Sequence, residues 1–320
     1  MLSRRHLLLS SLASVALPRL ARAADKPKEI RIDWATYNPV SMVLKEKGLL
    51  EKELSKDGIG VRWVQTLGSN KALEFLNAGS IDFGSTAGAA ALIGRINGNP
   101  IKSIYIFSRP EWTALVTRKD TPIAKIEDLK GKRVAVTRGT DPHIFLVRAL
   151  RSVGLSEKDI VPVLLQHPDG KTALMRGDVD AWAGLDPMMA QAQVEDGAHL
   201  FYRNKEANTW GILNAAEDFL KQYPALTRRV IAVYEDARKY CLANYDDEKR
   251  VFMGVTKLPS DVVDIQLKER TELTFSRIGA QQRDSILQAG LALQQAGVLP
   301  ASADVKRSLD DLIDDQYVAA

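Results

Sequence analysis

Short apolar runs of strand length alternate along the chain with longer segments of helical period. Ile30–Trp34 alternates buried-type and polar positions and predicts a strand. Val40–Leu50 carries a helical stripe, and Val61–Val64 predicts a second strand. Ala72–Asn77 reads as helical, Ile81–Gly84 as a short strand and Ile101–Phe107 as a longer one. Strands alternating with helices predict an α/β class with parallel layers.

A repeat sharpens this picture. Leu76-Asn77-Ala78-Gly79-Ser80-Ile81-Asp82 recurs 98 residues later as Leu174-Met175-Arg176-Gly177-Asp178-Val179-Asp180, both reading L-x-x-G-x-[IV]-D. Such a segment ends a helix on a glycine able to take positive φ and turns straight into a strand. Upstream, each copy carries a strand and a helix that runs into Gly-Leu, at Gly48-Leu49 and Gly154-Leu155. The same strand–helix–strand–helix–strand unit therefore occurs twice, which predicts two lobes. Lobe one is expected to comprise 24–112 and 203–320, its last part mainly helical from about Trp210, and lobe two 113–202. The crossings near 109–117 and 203–211 are expected to form a hinge, with a ligand cleft where the carboxyl ends of both sheets face each other.

The 320 residues, 45% hydrophobic and 26% charged, suit a globular chain of two such units. The net charge of +4 is concentrated in residues 1–23, which hold Arg4, Arg5, Arg19 and Arg22 and no acid. The rest is near neutral, so nucleic acid is not an expected partner. That basic start, the apolar run Leu7–Leu17 and Ala21-Arg22-Ala23 form a signal-peptide pattern, residues 1–23, with cleavage expected after Ala23. Eleven residues at 1.5 Å rise are too short to cross about 30 Å of hydrocarbon. Ser3-Arg4-Arg5-His6-Leu7-Leu8 is also compatible with twin-arginine export. The expected product is a periplasmic monomer without a lipid anchor. The single cysteine, Cys241, is expected to be a core thiol.

Catalytic signatures are sparse. There is no H-E-x-x-H, and Gly84-Ser85-Thr86-Ala87-Gly88 lacks the spacing of G-x-S-x-G. Gly170-Lys171-Thr172 looks like the end of a phosphate loop, but Leu165 stands where its first glycine belongs. The four histidines (His6, His143, His167, His199) have no metal-ligand spacing, so neither metal nor cofactor is expected. What recurs instead is a loop with small polar residues where a helix begins. These are Asn38-Pro39-Val40-Ser41, Gly68-Ser69-Asn70, Ser85-Thr86-Ala87-Gly88, Gly139-Thr140-Asp141-Pro142 and Asp186-Pro187. Each alone is an ordinary N-cap, but five at the cleft-facing ends of two lobes predict an oxyanion pocket of amides and hydroxyls. Trp112, in the first crossing, is the aromatic best placed to cover a ligand's tail.

With Leu76–Thr86 (LNAGSIDFGST), Val179–Pro187 (VDAWAGLDP), Asp128–Val134 (DLKGKRV) and Gly139-Thr140-x-x-His143, the chain resembles the aliphatic sulfonate-binding proteins of ABC importers, near relatives of nitrate- and taurine-binding proteins. The resemblance covers about residues 28–215. It implies a type II periplasmic binding-protein fold that closes on a small organic sulfonate and delivers it to a membrane permease. It also implies that Ser41, Ser69, Ser85, Thr86, Gly139 and Thr140 hold the sulfonate. Asn38, Gly68, Trp112, Asp141, His143 and Asp186, from the same loops and the first crossing, complete the candidate site. Leu185 stands where the W-x-x-W-D-P pattern has its second Trp, and Asp141-Pro142 stands where small hydroxyl residues are common. A carboxylate near a sulfonate repels it by about 1 kcal/mol at 4 Å in water. Either the ligand also carries a cationic group or Asp141 points away. Nitrate or a pyrimidine precursor remains an alternative ligand. An enzyme on this scaffold, of the pyrimidine-synthesis kind, would need a catalytic cluster that the sequence does not display, and a sensor would need an output domain.

Overall fold

The structure is a computed structural model that describes residues 26–318. The segment read as a signal peptide lies outside the described residues. The chain begins with β1 (Glu29–Trp34), α1 (Pro39–Glu46), α2 (Leu49–Leu54), β2 (Gly60–Gln65), α3 (Ser69–Asn77), β3 (Phe83–Ala87), α4 (Gly88–Ile96) and β4 (Ile101–Pro110). Then come β5 (Leu115–Thr117), β6 (Arg133–Val136), α5 (Asp141–Ser152), β7 (Val161–Leu164), α6 (His167–Arg176), β8 (Ala181–Ala183), α7 (Met188–Glu195) and β9 (His199–Tyr202). The last part holds β10 (Gly211–Ala216), α8 (Glu217–Gln222), α9 (Pro224–Ala243), α10 (Tyr245–Thr256), α11 (Ser260–Asp264), β11 (Thr271–Glu272), α12 (Ala280–Gln295) and α13 (Val305–Leu312).

The strands form two sheets, one per lobe, ordered β11-β4-β10-β3-β1-β2 and β7-β6-β8-β5-β9. In each, a parallel trio stands beside antiparallel strands, and the chain passes between the sheets twice. Helices cover both faces of the second sheet. Val134 and Val136 of β6 pack with Phe145, Leu146 and Leu150 of α5, while Ala135, on the other face of the same strand, joins Leu174 of α6 and Met189 of α7. This is the alternation that a strand buried on both faces requires.

The repeat has a physical meaning beyond its turn. Gly79 and Gly177 take φ of 62° and 81°, the left-handed region that glycine enters freely. The aspartate that ends each copy reaches the neighbouring strand: Asp82 accepts the Arg31 amide at 2.7 Å, and Asp180 the Arg133 amide at 2.8 Å. Each arginine side chain then bonds its aspartate and the carbonyl of the turn glycine, Gly79 or Gly177. One device thus locks helix, turn and two strands in both lobes.

Two expectations shift. β3 runs from Phe83 to Ala87, so Ser85 and Thr86 are ladder residues of a buried strand between β1 and β10, not part of a helix-leading loop. Small residues let this strand lie close under its cover, and a Cβ on Gly84 would meet Leu76 Cδ1 at 2.9 Å. β10, just after the second crossing, is a central strand rather than the start of a helical tail. Cys241 is buried in the lobe-one core, as expected, and burial pushes its thiol well above the ordinary range. No described helix is long and apolar enough to cross a membrane.

Candidate functional site

The lobes meet over a small cavity of about 10 Å³, room for roughly one water. It is bounded by three helix starts: Gly68-Ser69 at α3 of lobe one, and Thr140-Asp141-Pro142 at α5 and His167 at α6 of lobe two. Tyr37, Trp112 and Leu185 complete the wall. The first amides of each helix have no carbonyl one turn back to bond, so three positive helix ends and their donors converge here. Such a place suits an acceptor-rich anion with an apolar tail.

The lobe-one wall is held by a buried polar network. Asp33 accepts the Ser85 amide (2.9 Å), the Ser85 hydroxyl (2.8 Å) and the Thr66 hydroxyl (2.8 Å). Burial pushes Asp33 up to about 6, and those bonds hold it from rising further. Tyr37 donates its hydroxyl to the Ser85 carbonyl at 3.0 Å, and its ring meets Trp112 edge-on at 5.8 Å between centroids. Asn38 donates to the Ser85 hydroxyl (2.8 Å) and the Tyr234 hydroxyl (2.6 Å). Ser41 donates to the Asn38 carbonyl at 2.6 Å.

Of the expected site residues, the structure therefore brings Gly68, Ser69, Trp112, Thr140 and Asp141 to the cavity. It turns Asn38, Ser41 and Ser85 into the lobe-one network. Thr86 joins them inside, donating to the Ala87 carbonyl and accepting from Asn214 at 2.7 Å. These four lie behind the cavity rather than in its lining, where a buried strand and cap satisfy their own polar groups. Ser69 accepts the Ala87 amide at 2.9 Å, which fixes α3 on β3. Thr140 donates its hydroxyl to the Thr137 carbonyl at 2.7 Å.

Gly139 and His143 instead line a larger open groove of about 860 Å³ between α5 and the ends of α4 and α12. There His143 pairs with Glu157 at 3.2 Å. Asp186 also lies outside the cavity lining: it forms a fully buried ion pair with Arg270 at 3.1 Å and 3.2 Å, and Arg270 bonds Gln193 as well. That pair ties α7 of lobe two to the segment leading into β11 of lobe one.

The Asp141 carboxylate, beside the cavity, is taken up by donors from both chain crossings. It accepts the Trp112 indole N–H (2.8 Å), the Thr209 amide (3.0 Å) and the Thr209 hydroxyl (2.6 Å). Trp112 lies in one crossing and Thr209 in the other. Burial raises the Asp141 pKa, against the pull of these donors.

Tyr37, Pro142, His167 and Leu185 were not among the expected residues. For His167 a signal existed: it follows Ser69 by 98 residues, the offset of the repeat, so both open the equivalent helix of their lobe. It is wholly buried, with no hydrogen-bond partner for either ring nitrogen among the described residues, and burial alone pushes it down to about 3. Among the described residues no cluster of His, Cys, Asp and Glu could hold a metal ion.

Known proteins share this architecture. A protein of Escherichia coli named for aliphatic sulfonate binding is 27% identical over 305 residues, covering 95% of each chain. One of the same name from Bacillus subtilis is 26% identical over 294 residues, 91% of this chain and 87% of its own. The crystal structure of the alkanesulfonate-binding protein of Xanthomonas axonopodis pv. citri bound to MOPS superposes with a TM-score of 0.82. It is 23% identical and covers 91% of this chain and 100% of its own, so the two-lobed fold is common to both. The NMT1/THI5-like family matches residues 42–248, and this chain, with its paired α/β lobes and cleft, belongs to that family.

Proposed function

We propose that the protein is a periplasmic solute-binding component of an ABC importer, which captures a small organic sulfonate between its lobes and hands it to the membrane permease. The observation that carries this reading is the convergence of three helix starts, α3, α5 and α6, on one interlobe cavity walled by Trp112, Tyr37 and Leu185. A sulfonate has three acceptor oxygens and no proton to donate near neutral pH. Helix-terminal amides match it, and the aromatic wall matches an alkyl tail. Relatives aligned over nearly the whole chain are named for the same ligand class.

The cavity is smaller than any sulfonate, so the ligand enters with the lobes apart and closure follows. A ligand that touches both lobes favours the closed state by its differential affinity. The reading includes a monomer, export by the leader, and binding without turnover. Calorimetry of the mature protein with ethanesulfonate, taurine, nitrate and a pyrimidine tests it. Saturable binding of a sulfonate, with the ligand recovered unchanged, is expected. Binding of the pyrimidine or nitrate alone would overturn it.

A further inference from the structure

We propose that His167 contacts the ligand's head group and takes up a proton as an anion binds, making capture proton-linked. This rests on the solute-binding reading of the cleft.

Position comes first. His167 opens α6 and faces Gly68 and Ser69 at the start of α3, its repeat counterpart across the cavity. A Cβ placed on Gly68 would lie 3.3 Å and 3.4 Å from the imidazole Cδ2 and Nε2. The ring is therefore at the closing surface itself. It is 0% exposed and both nitrogens lack a protein partner among the described residues. A buried polar group without a hydrogen bond is costly, and here it borders the interlobe cavity between the helix starts.

Chemistry gives the rest. A neutral imidazole has one donor and one acceptor, whereas a sulfonate only accepts. Against such a ligand the ring lone pair has nothing to bond unless it is protonated, and protonation supplies a second donor and a counter-charge. Without an anion, burial and the positive start of α6 both favour the neutral ring. An anion in contact reverses that preference.

The surrounding charges leave the ring to the ligand. In the cavity, Asp141 is held by Trp112 and Thr209, and Tyr37 donates to Ser85. On α6 and α7, Lys171 lies 3.5 Å from Asp196, and Glu195 accepts from Gln191. On β6, Arg133 bonds Asp180; on α3, Lys71 bonds Glu74. Asp169, on α6, has no hydrogen bond to the ring.

The test is calorimetry with ethanesulfonate in phosphate and in Tris at pH 7, whose ionisation enthalpies differ. Uptake of about half a proton or more per ligand is expected at pH 7, with affinity falling by up to about tenfold per pH unit between the ring's ligand-free and ligand-bound pKa values. His167→Gln keeps a donor but does not titrate, so uptake and pH dependence should vanish together. Ring-nitrogen NMR of the unaltered protein gives a second readout, the His167 signals moving to imidazolium values on sulfonate addition. Sulfonate binding without proton uptake, or uptake that persists in His167→Gln, would overturn the proposal and leave the solute-binding reading standing. No sulfonate binding in either buffer would overturn that reading instead, and this proposal with it.

Discussion

The indole N–H of Trp112 donates to the Asp141 carboxylate at 2.8 Å, and that same carboxylate takes the amide and hydroxyl of Thr209. One side chain at the start of α5 thus pins both chain crossings to lobe two. The three donors are buried with it, which is why a charged group is tolerated there.

Replacing Asp141 by Ser removes the pin and leaves the Trp112 and Thr209 donors without their acceptor. Stability should fall by about 1–3 kcal/mol, and the Thr209 amide should exchange faster with solvent. Denaturant melts and hydrogen exchange measure the two. Unchanged exchange at Thr209 would show that the crossings are held by other contacts.

The ion pair of Asp186 and Arg270 makes a harsher test, since both side chains are at most 2% exposed. Arg270→Leu leaves the Asp186 carboxylate buried without its counter-charge and should cost about 3–5 kcal/mol. Adding Asp186→Asn should recover much of that loss, because the stranded charge goes with it. A double variant as unstable as the sum of the singles would argue that the two residues act separately.

Much of this was readable from the chain, and the reasons are local. The repeat announced itself because its glycine and aspartate do local work twice, at Gly79-Asp82 and Gly177-Asp180. The helix starts at Gly68-Ser69 and Gly139-Thr140 were legible because Ser, Thr and Gly suit those positions. Ser85 and Thr86 misled because a small polar run reads alike in a cap and in a close-packed central strand. The ion pair of Asp186 was not legible because its partner lies 84 residues away, nor the anchoring of Asp141, whose partner Thr209 lies 68 away. Pairings at such distance are set by how the lobes fold together, which no local pattern encodes.

Glu248 offers a prediction in pH. It is buried, its Oε1 has no partner among the described residues, and burial pushes it from 4.5 up to about 7 against the bond from Cys241. A carboxyl whose folded pKa is raised favours its protonated form in the folded state. Stability is therefore full at acid pH, declines as pH rises from about 4.5 to about 7, and stays reduced above that. Glu248→Gln abolishes the charge and should stabilise the protein above pH 7 by on the order of 3 kcal/mol, with no gain below pH 4.5. Thermal melts of both proteins at pH 4.5 and 8 decide it. An equal effect at both values would place the cause in packing rather than titration.

The closing surface itself can be wedged open. Gly68 sits at φ 165°, extended backbone that any residue adopts, so a larger residue there meets no backbone strain. Its side chain would instead run into Asn70 Oδ1, 2.9 Å from the added Cβ, and into the His167 ring at 3.3 Å. Asn70 belongs to the same lobe and can turn aside, but His167 is on the other lobe and yields only if the lobes part. Gly68→Val should therefore leave each lobe folded, with a melting temperature close to the parent's, while opposing closure. The overpacking, about 1–3 kcal/mol, corresponds to roughly a fivefold to hundredfold loss of sulfonate affinity. Small-angle scattering at saturating ethanesulfonate should give a larger radius of gyration for the variant than for the parent. Gly68→Ala should fall between the two. If Gly68→Val binds as tightly and closes as far as the parent, α3 and α6 do not meet in the bound state, and the ligand is held on a surface other than this cavity.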